Sequence, residues 1–79
     1  MPADIRRELG ARLRVLRIGR GFSQEVLAER ADLHRNYVGS IERGERDVGI
    51  SALNRLVTAL GLSLAEFFEP FQSHGRPKR

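Results

Sequence analysis

The most distinctive side chains of this sequence lie together in the stretch HRNYVGS. A solvent-facing helix surface is usually rich in glutamate and lysine, whereas this stretch offers an imidazole, a guanidinium, a carboxamide, a phenol and a hydroxyl. They belong to His34, Arg35, Asn36, Tyr37 and Ser40. A guanidinium forms two parallel hydrogen bonds with phosphate oxygens or with the acceptor edge of guanine. The stretch therefore indicates a surface that hydrogen-bonds to a polar partner.

The charge of the chain is a weaker indication of the same kind. Of the 14 Lys and Arg residues 13 are arginine, and against 10 Asp and Glu they give a formal net charge of +4. An arginine-rich basic chain favours nucleic acid as a partner. A GC-rich genome also favours arginine over lysine, so composition alone leaves both explanations open.

What the chain lacks argues against several classes of function. Without cysteine there is neither a disulfide framework nor a thiolate metal site. The two histidines, His34 and His74, are 40 residues apart, and no Ser/His/Asp set, carboxylate cluster or glycine-rich phosphate loop falls on one predicted surface. We therefore expect no enzyme activity and no catalytic residue, metal, cofactor or small-molecule ligand.

The size of the chain and its apolar runs predict its organisation and compartment. At 79 residues it is long enough for one compact domain. No uncharged run approaches a membrane span, and the segment MPADIRREL lacks the apolar core of a secretion signal. We expect a soluble, cytoplasmic protein without membrane contact.

The elements that hold the polar stretch are predicted from apolar spacing. Intervals of four, four and three separate the apolar residues Ile5, Leu9, Leu13 and Leu16. This spacing places one stripe along a helix over about residues 4–18. Asp4 is a suitable N-cap, and Gly19 with Gly21 ends the helix.

A second helix begins after Ser23, a good N-cap, and buries Leu27, Ala28 and Ala31. Asp32 then tolerates a left-handed backbone, which breaks the helix at a tight polar turn. The small size of Ala28 is needed because the next helix crosses over it.

A third helix is predicted over about residues 34–43. Its inward positions are Val38 and Ile41, three residues apart, and Gly44 ends it. The polar side chains of HRNYVGS therefore face away from the core.

The last third of the chain predicts two more helices. The fourth, over about residues 50–60, has a broad apolar face made by Ile50, Leu53, Leu56, Val57 and Leu60. Ser63 caps a fifth helix, which ends near Pro70 because proline clashes with the preceding helical turn. No strand-like alternation is visible, so we predict an all-α fold, a compact bundle of five short helices. One domain covers residues 4–70, and residues 71–79 form a disordered basic tail.

Two short helices that meet at a tight turn, with a polar outer face on the second, are typical of a helix-turn-helix. The segments SQEVLAERADLHRNYVGSIERGER and SALNRLVTALGLSLAEFF together resemble the phage-repressor and Cro type of helix-turn-helix regulator, the XRE-like family. The resemblance covers about residues 9–68. Within this family, the small size and the double phenylalanine are similar to controller proteins of restriction-modification systems.

The resemblance implies a lambda-repressor-like fold, double-stranded DNA as partner, and a role for individual residues. Arg35, Asn36 and Ser40 match positions that reach base edges from the third helix. The expected phosphate contacts are Gln24, His34, Tyr37, Arg43 and Arg46. Base and phosphate contacts of this kind imply sequence-specific binding through the major groove.

The resemblance also implies a structural pair. An arginine late in the first helix, Arg17, is expected to pair with Glu42 at the end of the third and to orient the two helices. Departures from the family pattern concern His34, Asp32, Gly49 and Gly39. His34 stands where the family usually has a Ser, Thr or Asp cap, so it is expected to cap, to contact phosphate or to do neither. Gly39 is expected to leave room for a base.

Aromatic content predicts self-association. Phe67 is expected in the core, while Leu64, Phe68 and Phe71 form a stripe that a chain of this size cannot bury. Pairing through this stripe predicts a homodimer and a pseudo-palindromic operator. The alternative is a protein-interaction bundle, antitoxin-like or a scaffold, that keeps the fold without binding DNA. It predicts an acidic or apolar outer face on the third helix.

Overall fold

Residues 4–71 are described by the computed structural model, and within them the helices follow the predicted order. Five α-helices span Ile5–Gly19 (α1), Gln24–Ala31 (α2), Arg35–Glu42 (α3), Ile50–Ala59 (α4) and Leu64–Phe68 (α5), and a 3-10 turn over Glu69–Phe71 follows. No strand occurs in this part of the chain. The five predicted helices and the all-α class are confirmed.

Helices α1, α2 and α5 begin where the sequence supplies capping side chains. Asp4 accepts from the Arg6 backbone N–H at 3.1 Å, and the Ser23 hydroxyl accepts from Val26 N–H at 3.0 Å. Ser63 and Glu66 form a reciprocal capping box at the start of α5. Hydrogen bonds from the Arg6 side chain and then its backbone hold the pKa of Asp4 below its usual value. Local chemistry therefore sets the starts of α1, α2 and α5.

Left-handed backbone conformations end the helices as predicted. Asp32 has φ 58° and separates α2 from α3, and its N–H donates back to Glu29 O at 3.2 Å. Gly44, with φ 74°, ends α3 against the backbone of Arg7. A side chain at Gly44 would be disfavoured both by this φ and by a Cβ only 3.1 Å from the Arg7 Cα.

All five helices contribute to the core, in which α2 packs against α3 and α4, and α1 packs against α3. Its largest fully buried side chains are Phe67, Leu13, Leu27, Ile41, Leu56, Leu60, Val38 and Val57. The prediction that Ile5 and Ile50 belong to buried apolar faces was wrong, since they are 53% and 66% exposed. Each is the first residue of its helix, and the buried residues of that helix begin three or four positions later.

Close backbone packing joins α1 to the end of α3. Gly10 is buried, and a Cβ placed on it would clash with the carbonyl of Ile41 and lie 2.7 Å from that of Glu42. This contact was not predicted from the sequence. Gly10 therefore sets how closely α1 approaches the helix that carries the polar stretch.

The C-terminal end is attached to α1 by an arginine. Arg12 donates from Nε to the Phe67 carbonyl at 2.9 Å and from Nη2 to the Glu66 carbonyl at 3.0 Å. Phe71, assigned by sequence to the first position of the disordered tail, lies in the 3-10 turn and contacts the other two phenylalanines of this end. The rest of the predicted tail, residues 72–79, lies outside the described residues.

No single helix within residues 4–71 is both long and apolar enough to cross a membrane. The segments Ile50–Ala59 and Leu64–Phe71 reach the required length and composition only as a pair bent by 96°.

Candidate nucleic-acid interface

A buried ion pair underlies the surface formed by α2 and α3. The Arg17 Nε lies 2.6 Å from Glu42 Oε2, and its Nη2 donates to Glu42 Oε1 at 3.0 Å. The two side chains are 10% and 2% exposed. Arg17 also donates from Nη1 to the Phe22 carbonyl at 2.8 Å. The buried charges of Arg17 and Glu42 therefore compensate each other where α1, the following loop and α3 meet.

Gln24 extends this pair to the surface. Its Nε2 donates to Glu42 Oε1 at 3.0 Å, so the first residue of α2 is attached to the last residue of α3. From the sequence, Gln24 was expected to contact phosphate, and its bond to Glu42 was not predicted. A carboxamide nitrogen carries two hydrogens, and the second remains free to donate to a phosphate. The Glu42 bond holds the carboxamide in place for such a contact.

The polar side chains surround a concavity between α2 and α3, which we call the α2–α3 concavity. Its lining residues are Arg17, Ser23, Gln24, Glu25, Arg35, Asn36, Gly39 and Arg43. Arg35 and Asn36 are exposed and stand on the first turn of α3. Two of the three predicted base-contacting residues are thus brought together with two of the predicted phosphate-contacting residues, Gln24 and Arg43.

Gly39 lies on the inner side of this concavity, between Gln24 and Arg43. It is buried, and a Cβ on it would lie 3.3 Å from Gln24 Oε1 and 3.1 Å from Arg43 Nη1. The absence of a side chain at Gly39 therefore leaves room for the ends of Gln24 and Arg43, and the expectation that it leaves room for a base stays a prediction.

Ser40, the third predicted base-contacting residue, is half-buried, and its hydroxyl donates to the Tyr37 carbonyl at 2.9 Å. A serine hydroxyl has a single hydrogen, so in this conformation only its lone pairs remain for a partner. Ser40 can therefore accept a hydrogen bond from a base but cannot donate one without breaking the bond to Tyr37.

His34 caps α3, which is the first of the three roles left open by the sequence. Its Nδ1 accepts the backbone N–H of Asn36 at 3.1 Å. The ring is exposed, and it borders a groove whose walls are formed by α2 and the first turn of α3. The imidazole replaces the hydroxyl or carboxylate that usually performs this function.

Two arginines occupy the C-terminal side of α3. The Arg46 guanidinium carbon lies 5.2 Å from the centroid of the half-buried Tyr37 ring, a cation–π distance. Arg43 pairs with Glu45 at 3.1 Å, and both side chains are more than half exposed. Arg46 is therefore placed by an aromatic ring, whereas the charge of Arg43 is partly offset by a neighbouring carboxylate.

The predicted dimer residues lie away from this surface, at the end of the chain that the structure describes. Phe68 and Phe71 have ring centroids 5.3 Å apart, and both pack against Phe67, which is fully buried. Leu64, Phe68 and Phe71 are half-buried rather than fully exposed. More exposed apolar side chains lie on α1, where Val15, Ile5 and Ile18 are 66%, 53% and 51% exposed. The stripe left over by the core is therefore smaller than the sequence suggested.

The described residues contain no group of three or more His, Asp or Glu that could hold a metal ion. The α2–α3 concavity itself offers hydrogen-bonding groups and a net positive charge, since Arg35 and Arg43 outnumber the carboxylate of Glu25, and this suits a polyanion with base edges.

Comparison with known proteins agrees with this geometry. A family model described as a helix-turn-helix domain matches residues 8–67. The control protein C.SmaI of Serratia marcescens is 46% identical over 61 residues, which cover 77% of this chain and 73% of that protein. A hypothetical transcription factor of Neisseria meningitidis is 33% identical over 69 residues; the match covers 87% of this chain and 65% of that longer protein.

Solved structures of restriction-modification controller proteins have the same fold. That of C.AhdI from Aeromonas hydrophila has a TM-score of 0.80 and 42% identity, over 84% of this chain and 100% of that one. A tetramer of C.Esp1396I in complex with its natural 35-base-pair operator has a TM-score of 0.81 and 28% identity, over 90% of this chain and 93% of that one. These relatives are regulators rather than enzymes. The chain belongs to the helix-turn-helix family of transcription regulators, with restriction-modification controller proteins as its homologues.

Proposed function

We propose that this protein is a cytoplasmic, homodimeric transcription regulator that binds a pseudo-palindromic operator by placing α3 in the major groove. The observation that carries the proposal is the arrangement of Arg35 and Asn36. Both are exposed on the first turn of α3, beside Gln24 and Arg43 on the α2–α3 concavity. Base contact and phosphate contact are thus available from one face of the molecule.

Arg35 and Asn36 have the right chemistry to distinguish bases. A guanidinium donates to O6 and N7 of guanine, and a carboxamide pairs with N6 and N7 of adenine. The alternative of a protein-interaction bundle predicts an acidic or apolar outer face on α3. The exposed side chains at the start of this helix are basic and amide, which argues against that alternative.

Phosphate contacts would surround these two residues. Gln24 stands at the N-terminus of α2, where backbone N–H groups and the helix dipole favour an anion. Arg43 and Arg46 are exposed at the other end of α3, with Tyr37 beneath Arg46. This distribution places positive or hydrogen-bonding groups on both sides of the base-contacting turn, as a groove lined by two phosphate backbones requires.

Dimerisation through α5 would double the number of α3 helices that contact the operator. Leu64, Phe68 and Phe71 stay half-buried in the monomer, so part of their apolar surface remains to be covered. A two-fold axis through these residues would present two α3 helices to successive major grooves, which are about 34 Å apart. The tetrameric operator complex of C.Esp1396I shows a relative assembling on DNA.

Selection of bound oligonucleotides from a random pool would test the proposal, followed by the variant Arg35→Ala. We expect enrichment of an inverted repeat, and a loss of about 1–3 kcal/mol at one base position in the variant. Arg14→Ala is a matched control, since it removes the same charge from an exposed position on α1. No enrichment, or equal preference in wild type and Arg35→Ala, would contradict the proposal.

A further inference from the structure

The cap of α3 differs chemically from those of α1, α2 and α5. Asp4, Ser23 and Ser63 cap with a carboxylate or a hydroxyl, whereas His34 caps with an imidazole nitrogen. The hydrogen bond from Asn36 N–H to His34 Nδ1 is 3.1 Å long. It closes the turn that carries both Arg35 and Asn36, the residues proposed to contact bases.

An imidazole can accept this hydrogen bond only while Nδ1 is unprotonated. In the imidazolium ion both ring nitrogens are donors, so Nδ1 would then face the Asn36 N–H with a hydrogen of its own. Imidazole changes its charge between about pH 5 and 8, a range in which hydroxyl caps do not titrate. Among the side-chain caps of the described helices, mild acid can therefore remove only that of α3.

Charged groups of both signs lie around the ring. Glu25 and Glu29 of α2 border the same groove as His34, and Arg35 borders it from α3. Carboxylates therefore face the ring from α2 and a guanidinium from α3. No hydrogen bond or ion pair joins the ring to these groups in the described residues, so the Asn36 bond is the contact that protonation breaks.

We propose that His34 is a positioning residue that makes base discrimination by α3 dependent on pH. Neutral His34 holds the first turn of α3 and thus the backbone of Arg35 and Asn36. Protonation releases that turn and adds a positive charge beside the DNA-binding face. The first effect weakens base contacts, and the second strengthens binding to any DNA. The first effect lowers the preference for the operator over other sequences as pH falls, whereas the second raises the affinity for both alike and leaves their ratio unchanged. This inference rests on the proposed base-contacting role of α3.

The test compares affinities of the full chain for the selected operator and for a scrambled duplex at about pH 8 and about pH 5.5, at constant ionic strength. We expect the wild-type ratio to fall about fivefold in acid, the effect of losing one side-chain cap. His34→Ser should keep a cap at both pH values and show a constant ratio. His34→Ala should show the low ratio at both. His74→Gln, which removes the other histidine, should behave as the wild type.

A second measurement needs no DNA. Protection of the Asn36 amide against hydrogen exchange should fall on acidification in the wild type, relative to His34→Ser at the same pH. Unchanged protection, or a wild-type ratio equal at both pH values, would overturn the inference while leaving the proposed function intact. A protein that fails to discriminate at every pH would overturn the proposed function, and this inference with it.

Discussion

The α2–α3 surface and the α5 end are held in opposite ways. At the first, a buried ion pair and a hydrogen-bonded carboxamide link α1, α2 and α3 through Arg17, Glu42 and Gln24. At the second, three phenylalanine rings pack edge-on or stacked, with centroids 5.0 to 6.2 Å apart. Hydrogen bonds have strict geometry and orient side chains, whereas apolar contacts are non-directional and stabilise in proportion to area. The first arrangement suits recognition, and the second suits association.

The α2–α3 surface and the α5 end also differ in which groups still lack a contact in the monomer. No side-chain nitrogen or oxygen that is buried in the described residues lacks a hydrogen-bond partner, so the polar network is complete within the monomer. The aromatic cluster is not fully covered, since Phe68 and Phe71 are half-buried rather than buried. A complete network gives a rigid surface before binding, and an incomplete apolar cluster gains from a partner.

Breaking the ion pair should have the largest effect. Arg17→Met would leave the Glu42 carboxylate buried without its main partner, at a cost of about 3–5 kcal/mol in the free energy of unfolding. The double variant Arg17→Met with Glu42→Met should cost less than the single one, because no isolated charge remains. A double-mutant cycle by urea unfolding measures the coupling. Additive effects would show that the pair contributes nothing as a pair.

A charged residue in the phenylalanine cluster of α5 should affect dimer formation instead. Phe68→Asp is expected to give a folded monomer whose operator affinity is lower by about a hundredfold, since the two half-sites are no longer bound together. Sedimentation equilibrium measures the change in mass. Ala65→Asp, which adds the same charge at an exposed position of α5, should still dimerise. A monomeric wild type at micromolar concentration, or a dimeric Phe68→Asp, would place the interface elsewhere.

A smaller loss of stability is expected from a change at the close contact between α1 and α3. Gly10→Ala puts a methyl group against the Ile41 and Glu42 carbonyls, and overpacking of this kind costs about 1–3 kcal/mol. Gly19→Ala is the control, because nothing lies within 4 Å of a Cβ at that helical position. Thermal unfolding should show a lower midpoint for the first variant and an equal or higher one for the second. A Gly10→Ala protein as stable as the wild type would mean that the helices separate without cost.

The smallest effect should come from the rim of the DNA-binding face. Glu45 pairs with Arg43 at an exposed position, where ion pairs contribute about 1 kcal/mol or less. Glu45→Gln should leave stability unchanged and raise affinity for all DNA sequences by about two- to threefold, since Arg43 is freed and a negative charge removed. Binding to operator and scrambled duplexes measures this. Weaker binding would show that Glu45 instead holds Arg43 in place.

Several features of the proposed site were accessible from the sequence and several were not. The outward position of Arg35 and Asn36 follows from the apolar spacing of Val38 and Ile41, which fixes the inner face of α3. The bond from Gln24 to Glu42 does not follow from any spacing, because it joins residues 18 positions apart in different helices. The contact of Gly39 with Gln24 does not follow from the sequence for the same reason, since Gln24 belongs to α2.

The sequence by itself determined the number, order and approximate limits of the helices. Caps such as Asp4, Ser23 and Ser63, breaks such as Asp32, and the period of apolar residues act within a few positions of the chain. Only the tertiary structure decided that Ile5 and Ile50 face solvent, that Gly10 lies against α3, and how much of the aromatic stripe is covered. Burial and close approach depend on where other helices lie, and that position results from the packing of the whole core rather than from any local segment.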